Sequence, residues 1–285
     1  MLKQRIITAV LLLAILLPAL FWPSPMPFAC VVLVMLAAGA WEWGRLNGLS
    51  QAGAWGCMAA CLALCLLSWW FGLVGQSLPL LWIAASALWV LGGAWILHRG
   101  VAGWPGVPQA LRLCGGIAAL WLAWLAVAQA RVIGINFLLS LFVLVWVADV
   151  AAYFAGRAFG LKFTQRRLAP TISPGKSWEG VWGGMAGVLL LALVWYQADA
   201  TWQAPVHSLY TVLAERGVGL LVIAVVFLAA MSVLGDLLES LVKRSAGAKD
   251  SSRLLPGHGG VLDRVDALLP TLPLAMMLHS LTHFG

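Results

Sequence analysis

Apolar runs long enough to cross a bilayer recur from one end of this chain to the other, and that recurrence leaves few architectures open. A hydrocarbon core about 30 Å thick takes roughly 20 residues of helix. Runs of about that length fall near residues 6–22, 27–44, 53–72, 78–97, 113–130, 134–156, 179–197, 217–236 and 265–283. Turn-forming residues separate them at Pro23 to Pro27, Asn47-Gly48, Gly75 to Pro79 and Gly103 to Pro108. A backbone in lipid must satisfy its own hydrogen bonds, so the expected fold is all-α, a polytopic integral membrane bundle of about nine transmembrane helices. Composition agrees: 62% of the 285 residues are hydrophobic and only 9% are charged.

The formal net charge of +7 is read best as topology and not as a nucleic-acid surface. With the N-terminus in the cytoplasm, fifteen of the 17 Lys and Arg residues fall in cytoplasmic segments, leaving only Arg131 and Arg216 outside. The positive-inside rule then fixes the orientation, and a missed helix would invert every later loop. The start of the chain, MLKQRIITAVLLLAILLPALFW, has the basic-then-apolar pattern of a signal peptide. It lacks a small-x-small cleavage site before the proline cluster and is expected to stay as the first span.

Several features read as packing. Cys57, Cys61 and Cys65 recur every four residues on one helical stripe without the paired spacing of a zinc site. Gly180, Gly183, Gly184 and Gly187 form overlapping small-xxx-small patterns that predict close helix packing. Such patterns are compatible with a homodimer but do not by themselves imply one. Glu42, in WEWGRL, stands three residues from Arg45 and is expected to pair with it along the helix.

Polar residues gather from the sixth run onward. Asp149, Tyr153 and Arg157 form an i, i+4, i+8 stripe, and an acid inside a span is costly unless it pairs or binds an ion. The following loop, KFTQRRLAPTISPGKSWEG, contains Gly175-Lys176-Ser177. A phosphate-binding P-loop is excluded, because the position its first glycine requires is Pro170 and no strand precedes it. A loop rich in hydroxyl and ammonium donors remains, and such donors suit phosphate oxygens.

The densest charge lies between Met231 and Pro270. If the eighth helix runs on to about Arg244, Asp236, Glu239, Ser240, Lys243 and Arg244 share one arc while Leu237, Leu238, Leu241 and Val242 fill the opposite side. A glycine-rich loop with Lys249, His258, Gly259 and Gly260 follows, and then Asp263, Arg264 and Asp266 open the last helix. Asp263 and Asp266 have the spacing of an N-cap and its third residue, which gives them a purely structural reading. Capping does not account for the acids on the preceding helix. Carboxylates among Lys and Arg are what a hard divalent cation and a polyphosphate require, so metal-assisted phosphoryl or nucleotidyl transfer ranks first.

Ser240-Leu-Val-Lys243-Arg244, Lys249-Asp250, Leu255-Pro256-Gly257-His258-Gly259-Gly260 and Asp263-Arg264-Val-Asp266 together resemble the signature of the phosphatidate cytidylyltransferases, or CDP-diacylglycerol synthases. The resemblance extends upstream through Asp149, Ala152-Tyr153-Phe154, Gly156-Arg157, Phe159-Gly160, Ser173-Pro174-x-Lys176-Ser177-x-Glu179-Gly180 and Gly235-Asp236. It covers roughly the C-terminal half; Ser177 stands where threonine is expected. It implies a division into N-terminal membrane helices (1–130) and catalytic membrane helices with cytoplasmic loops (131–285).

The resemblance implies the reaction of CTP with phosphatidic acid in the bacterial inner membrane, giving CDP-diacylglycerol and pyrophosphate with Mg²⁺, at a site facing the cytoplasm. Carried over residue by residue, Asp236, Asp263, Asp266 and Asp149 become metal ligands, with the first two foremost. Lys243 and Arg264 join Asp236, Asp263 and Asp266 in catalysis. Lys176, Ser177, Ser240, Arg244, Lys249, His258, Gly259 and Gly260 bind substrate, His258 by orienting phosphate or the loop backbone. The CDP-alcohol phosphotransferases are a poorer match, because DGxxAR is absent and Asp263 and Asp266 are too close together. A transporter would place charges at the bilayer midplane and repeat its halves, and neither is found.

Overall fold

A computed structural model of the chain describes residues 2–283. Among them nine helical segments are long and apolar enough to cross a membrane. The first three spans are α1 (Leu2–Phe21), α2 (Met26–Leu46) and α3 (Gln51–Trp70). The fourth is compound: α4 (Pro79–Ala87), a wide turn over Leu88–Gly92, and α5 (Gly93–Gly103). It carries on past the expected end near residue 97, and Gly100, with φ 68°, takes up the kink. The later spans are α6 (Gln109–Ile133), α7 (Ile135–Phe159), α8 (Trp178–Thr201), α10 (Val218–Ser245), and the last, made of α11 (Leu262–Val265) and α12 (Leu268–His283). The short α9 (Leu209–Glu215) sits between α8 and α10.

Local chemistry sets the helix ends. The hydroxyls of Ser50, Ser177 and Ser208 cap α3, α8 and α9, accepting from the amides of Gly53, Gly180 and Thr211. The α7–α8 pairing is intimate because a Cβ at Gly183 or Gly187 would run into Ala155 or Ala151, and one at Gly184 would lie 2.9 Å from the carbonyl of Ala148. Small residues permit this approach where lipid supplies no hydrophobic drive. Cys57, Cys61 and Cys65 are free thiols buried in the bundle, as the packing reading expects. Large apolar side chains such as Val34, Leu80 and Leu190 point outward, as a lipid-facing surface requires.

One element departs from the all-helical expectation. Within the loop between α7 and α8, β1 (Arg167–Ala169) pairs antiparallel with β2 (Ser173–Ser177). Pro170, Pro174 and Gly175 made the segment read as plain loop. Ile172 buries into a small core with Trp104, Leu237, Leu241 and Val242, which ties the hairpin to the apolar back of α10. Glu179 holds the loop from the other side: its Oε1 accepts from the amides of Phe163 and Thr164 at 3.1 and 2.7 Å and from the Thr164 hydroxyl at 2.8 Å.

The start of α1, the end of α2, the hairpin, the end of α10 and the loop before α11 meet on one face of the bundle. At the opposite end Arg131 donates to the carbonyls of Leu20 and Trp22, at 3.0 and 2.6 Å. There Asp199 accepts from Asn136, Ser208 and Thr211.

Candidate active site

As expected, α10 continues as one helix through Arg244 to Ser245, and the site is assembled around it. Gly235 is what lets α10 approach the last span, because a Cβ there would overlap the Asp266 carbonyl oxygen and press on Pro270 at 2.9 Å. The carboxylates then fall into two groups.

The first group is accessible. Lys176, at the end of β2, forms an ion pair with Asp236 Oδ2, both side chains roughly a quarter to a third exposed. Ser240 donates to Asp236 Oδ1 at 3.3 Å, one turn along. Asp149 of α7 and Asp266 lie near enough to act electrostatically on each other and on Asp236. The expected stripe is partly broken: Arg157 donates to the Tyr153 hydroxyl at 3.1 Å, and Asp149 faces Lys176 and Asp236 across the site. Ala148, Ala151 and Ala155 are the α7 residues that meet the glycines of α8.

The second group is enclosed. Lys243 bridges Glu239 Oε2 and Asp263 Oδ1, each at 2.5 Å, and all three side chains are about a tenth exposed or less. Asp263 Oδ2 accepts from the Ser251 amide (2.9 Å), the Ser251 hydroxyl (2.9 Å) and the Gly260 amide (2.8 Å). Asp263 is therefore no N-cap: that position belongs to Val261, which has no side-chain cap. Asp266 Oδ1 accepts from the next amide, Ala267, at 2.8 Å.

The loop itself is bent by Gly257 and Gly259, at φ 79° and 84°, and closed by a bridge between Leu255 and Gly259. His258 Nδ1 is buried without a hydrogen-bond partner. Lys249 and Arg264 are exposed. Arg244 donates to the carbonyls of Ile172 and Ala248 at 3.4 and 3.3 Å, so it also ties the hairpin to the end of α10. Ser177 is buried with its hydroxyl committed to capping α8, which is the duty of that side chain in this structure.

Glu42 is the residue the sequence misassigned. No ion pair with Arg45 forms among the described residues, and Arg45 donates to the Leu49 carbonyl at 3.4 Å. Glu42 is 0% exposed, and its carboxylate accepts from Ser251, Ser252, Val261 and Leu262. A lone acid inside a span was the available signal; the nearby arginine answered it too readily.

An apolar cavity of about 560 Å³ flanks the enclosed group. Leu238, Glu239, Val242 and Leu262 line it from α10 and α11, Trp89 from the fourth span and Trp104 from the turn that follows it.

The model of the cytidylyltransferase family matches residues 3–282. This chain belongs to that family. Among curated cytidylyltransferases, the phosphatidate cytidylyltransferase of Haemophilus influenzae is 37% identical over 292 residues, covering 96% of both chains. That of Pseudomonas aeruginosa is 38% identical over 277 residues, 96% of this chain and 95% of its own. That of Brucella suis is 36% identical over 278 residues, 94% and 89%. The family match thus runs through the N-terminal helices as well, beyond the C-terminal half that carries the recognisable motifs.

Proposed function

We propose that this cytidylyltransferase makes CDP-diacylglycerol, transferring the cytidylyl group of CTP to phosphatidic acid and releasing pyrophosphate. The observation that carries the reading is the accessible cluster of Asp149, Lys176, Asp236 and Asp266 beside a glycine-bent loop, next to an apolar cavity in a membrane bundle. A polyphosphate needs cations and a divalent metal; a lipid needs hydrocarbon space. A phosphate oxygen of phosphatidic acid attacks the α-phosphorus of CTP, and the bond to the β-phosphate oxygen breaks in line. The attacking phosphate is already ionised, so no side chain need remove a proton.

The donor set fits Mg²⁺. It is all oxygen, and Asp149, Asp236 and Asp266 repel one another electrostatically in a way a divalent cation relieves. Among the described residues no three carboxylate, imidazole or thiol groups already stand in metal-binding geometry. Mg²⁺ is commonly held by one or two carboxylates, the rest being water and substrate phosphate. In this proposal Asp236 holds the ion with Asp266 and Asp149 beside it, and Asp263 joins them only by exchanging an oxygen from its present partners Lys243, Ser251 and Gly260. When bound, the ion neutralises charge on the attacking and leaving oxygens. Lys176, Arg244, Lys249 and Arg264 hold phosphate oxygens, Lys243 holds Glu239 and Asp263 together behind them, and His258 orients a phosphate or the loop.

Purified protein incubated with Mg²⁺, phosphatidic acid and labelled CTP should move label into the lipid phase, and ATP should not replace CTP. Equal incorporation from ATP would overturn the nucleotide assignment; no incorporation from either would overturn the activity.

The fifteen-to-two charge split supports an inner-membrane protein with its site in the cytoplasm. Single cysteines placed in 160–176 or 246–256 should react with an impermeant maleimide only after cells are permeabilised. Labelling of intact cells at both would invert the topology.

A further inference from the structure

Four donors converge on one buried carboxylate from more than 200 residues away. Glu42 Oε1 accepts from the Ser252 hydroxyl at 2.5 Å and the Val261 amide at 2.9 Å, and Oε2 from the Ser251 hydroxyl at 3.1 Å and the Leu262 amide at 2.8 Å. The amides of Val261 and Leu262 begin α11, where the first N–H groups of a helix have no partner of their own. No local side chain caps them. The carboxylate of α2 does so, and it pins the other end of the loop through the two serines. A Cβ at Gly260 would overlap both the Ser251 hydroxyl and Glu42 Oε1, so the backbone turns directly over this carboxylate.

The first helix adds to the hold. Thr8 donates to the Pro256 carbonyl and Arg5 to the Gly257 carbonyl, each at 2.9 Å. Ser251 and Val261 bracket His258, Leu262 directly precedes Asp263, and the single Ser251 hydroxyl proton is shared between Glu42 at 3.1 Å and Asp263 Oδ2 at 2.9 Å. Whatever fixes them fixes those side chains.

We propose that Glu42 is a positioning residue for the catalytic loop, its carboxylate fixing the backbone of residues 251–262 and so placing His258 and Asp263. Burial alone does not ask for this arrangement, because an apolar residue would pack α2 without a carboxylate to satisfy. A displaced reacting group is costly, since misplacement by about 1 Å can lower a rate by as much as a hundredfold.

The inference rests on the activity proposed above, and its primary test does not need that activity. Glu42→Gln keeps the shape, but one of its two terminal atoms becomes an NH₂ group facing an amide and a hydroxyl that both donate. In the full-length protein in detergent, hydrogen exchange at the amides of Val261 and Leu262 should quicken by about tenfold or more, with amides of α7 and α8 unchanged. Turnover of CTP should fall by about tenfold or more in kcat, with KM for CTP changing much less. Ser252→Ala removes one donor of the four and should shift both readouts the same way by about threefold, which keeps the test available should Glu42→Gln fail to accumulate. Loop exchange unchanged in both variants overturns the inference. So does wild-type kcat in a variant whose loop exchange has quickened.

Discussion

Asp236→Asn should lower turnover at least about a hundredfold, roughly 2.7 kcal/mol of barrier, while detergent melting barely moves. Asparagine preserves the size of the side chain and can still accept from Ser240, but it is a poor ligand for a hard cation. The ion pair with Lys176 is partly exposed on both sides, so its loss costs about 1 kcal/mol or less. Asp236 is a sharper probe than Asp263, whose carboxylate also anchors Ser251 and Gly260 and pairs with Lys243. Asp263→Asn should lower turnover as far and lower stability too. The double variant should be little slower than either single, because residues serving one metal act as a unit. Near-normal turnover of Asp236→Asn at limiting Mg²⁺ would remove Asp236 from the ligand set and turn attention to Asp266 and Asp149.

Lys243→Met should be strongly destabilising. Its ammonium sits between Glu239 and Asp263, both enclosed, and Glu239 Oε1 has no hydrogen-bond partner. Removing the cation leaves two buried carboxylates facing each other, a class of change that costs about 3–5 kcal/mol. The melting temperature should drop by several degrees, and Glu239→Gln added to Lys243→Met should recover part of the loss by removing one of the like charges. A melting curve that matches the wild type would show that Lys243 serves only the substrate, a role that activity alone cannot separate from the structural one.

How far such residues can be read from sequence depends on how far away their partners are. The spans were legible because a bilayer imposes length and hydropathy on each helix independently, and the run-on of α10 followed from charged residues keeping one arc. The close α7–α8 packing was legible in the glycine spacing. Glu42 was not, because a local rule offered Arg45 three residues away while the true partners lie beyond residue 250. Only the stripe reading of Asp149 went the same way: it pointed along α7 to Arg157, whereas the charges Asp149 meets come from β2 and α10. The reading of Asp263 and Asp266 as a cap pair failed for the same reason, since the atoms that start α11 are satisfied from α2. The β1–β2 hairpin stayed hidden because its pairing is short and its sequence is rich in turn residues.

The carboxylate of Glu42 also sets an order of events during synthesis. It enters the membrane with the second helix, whereas the residues that donate to it are made 209 to 220 positions later. At about 5–20 residues per second, it waits roughly 10–40 s for its first partner. Throughout that interval an acid near the end of a span must stay at the water interface or take up a proton, because an unpaired charge in hydrocarbon is not tolerated. Until the last helix arrives, the second one therefore either keeps this end at the interface or carries its acid protonated.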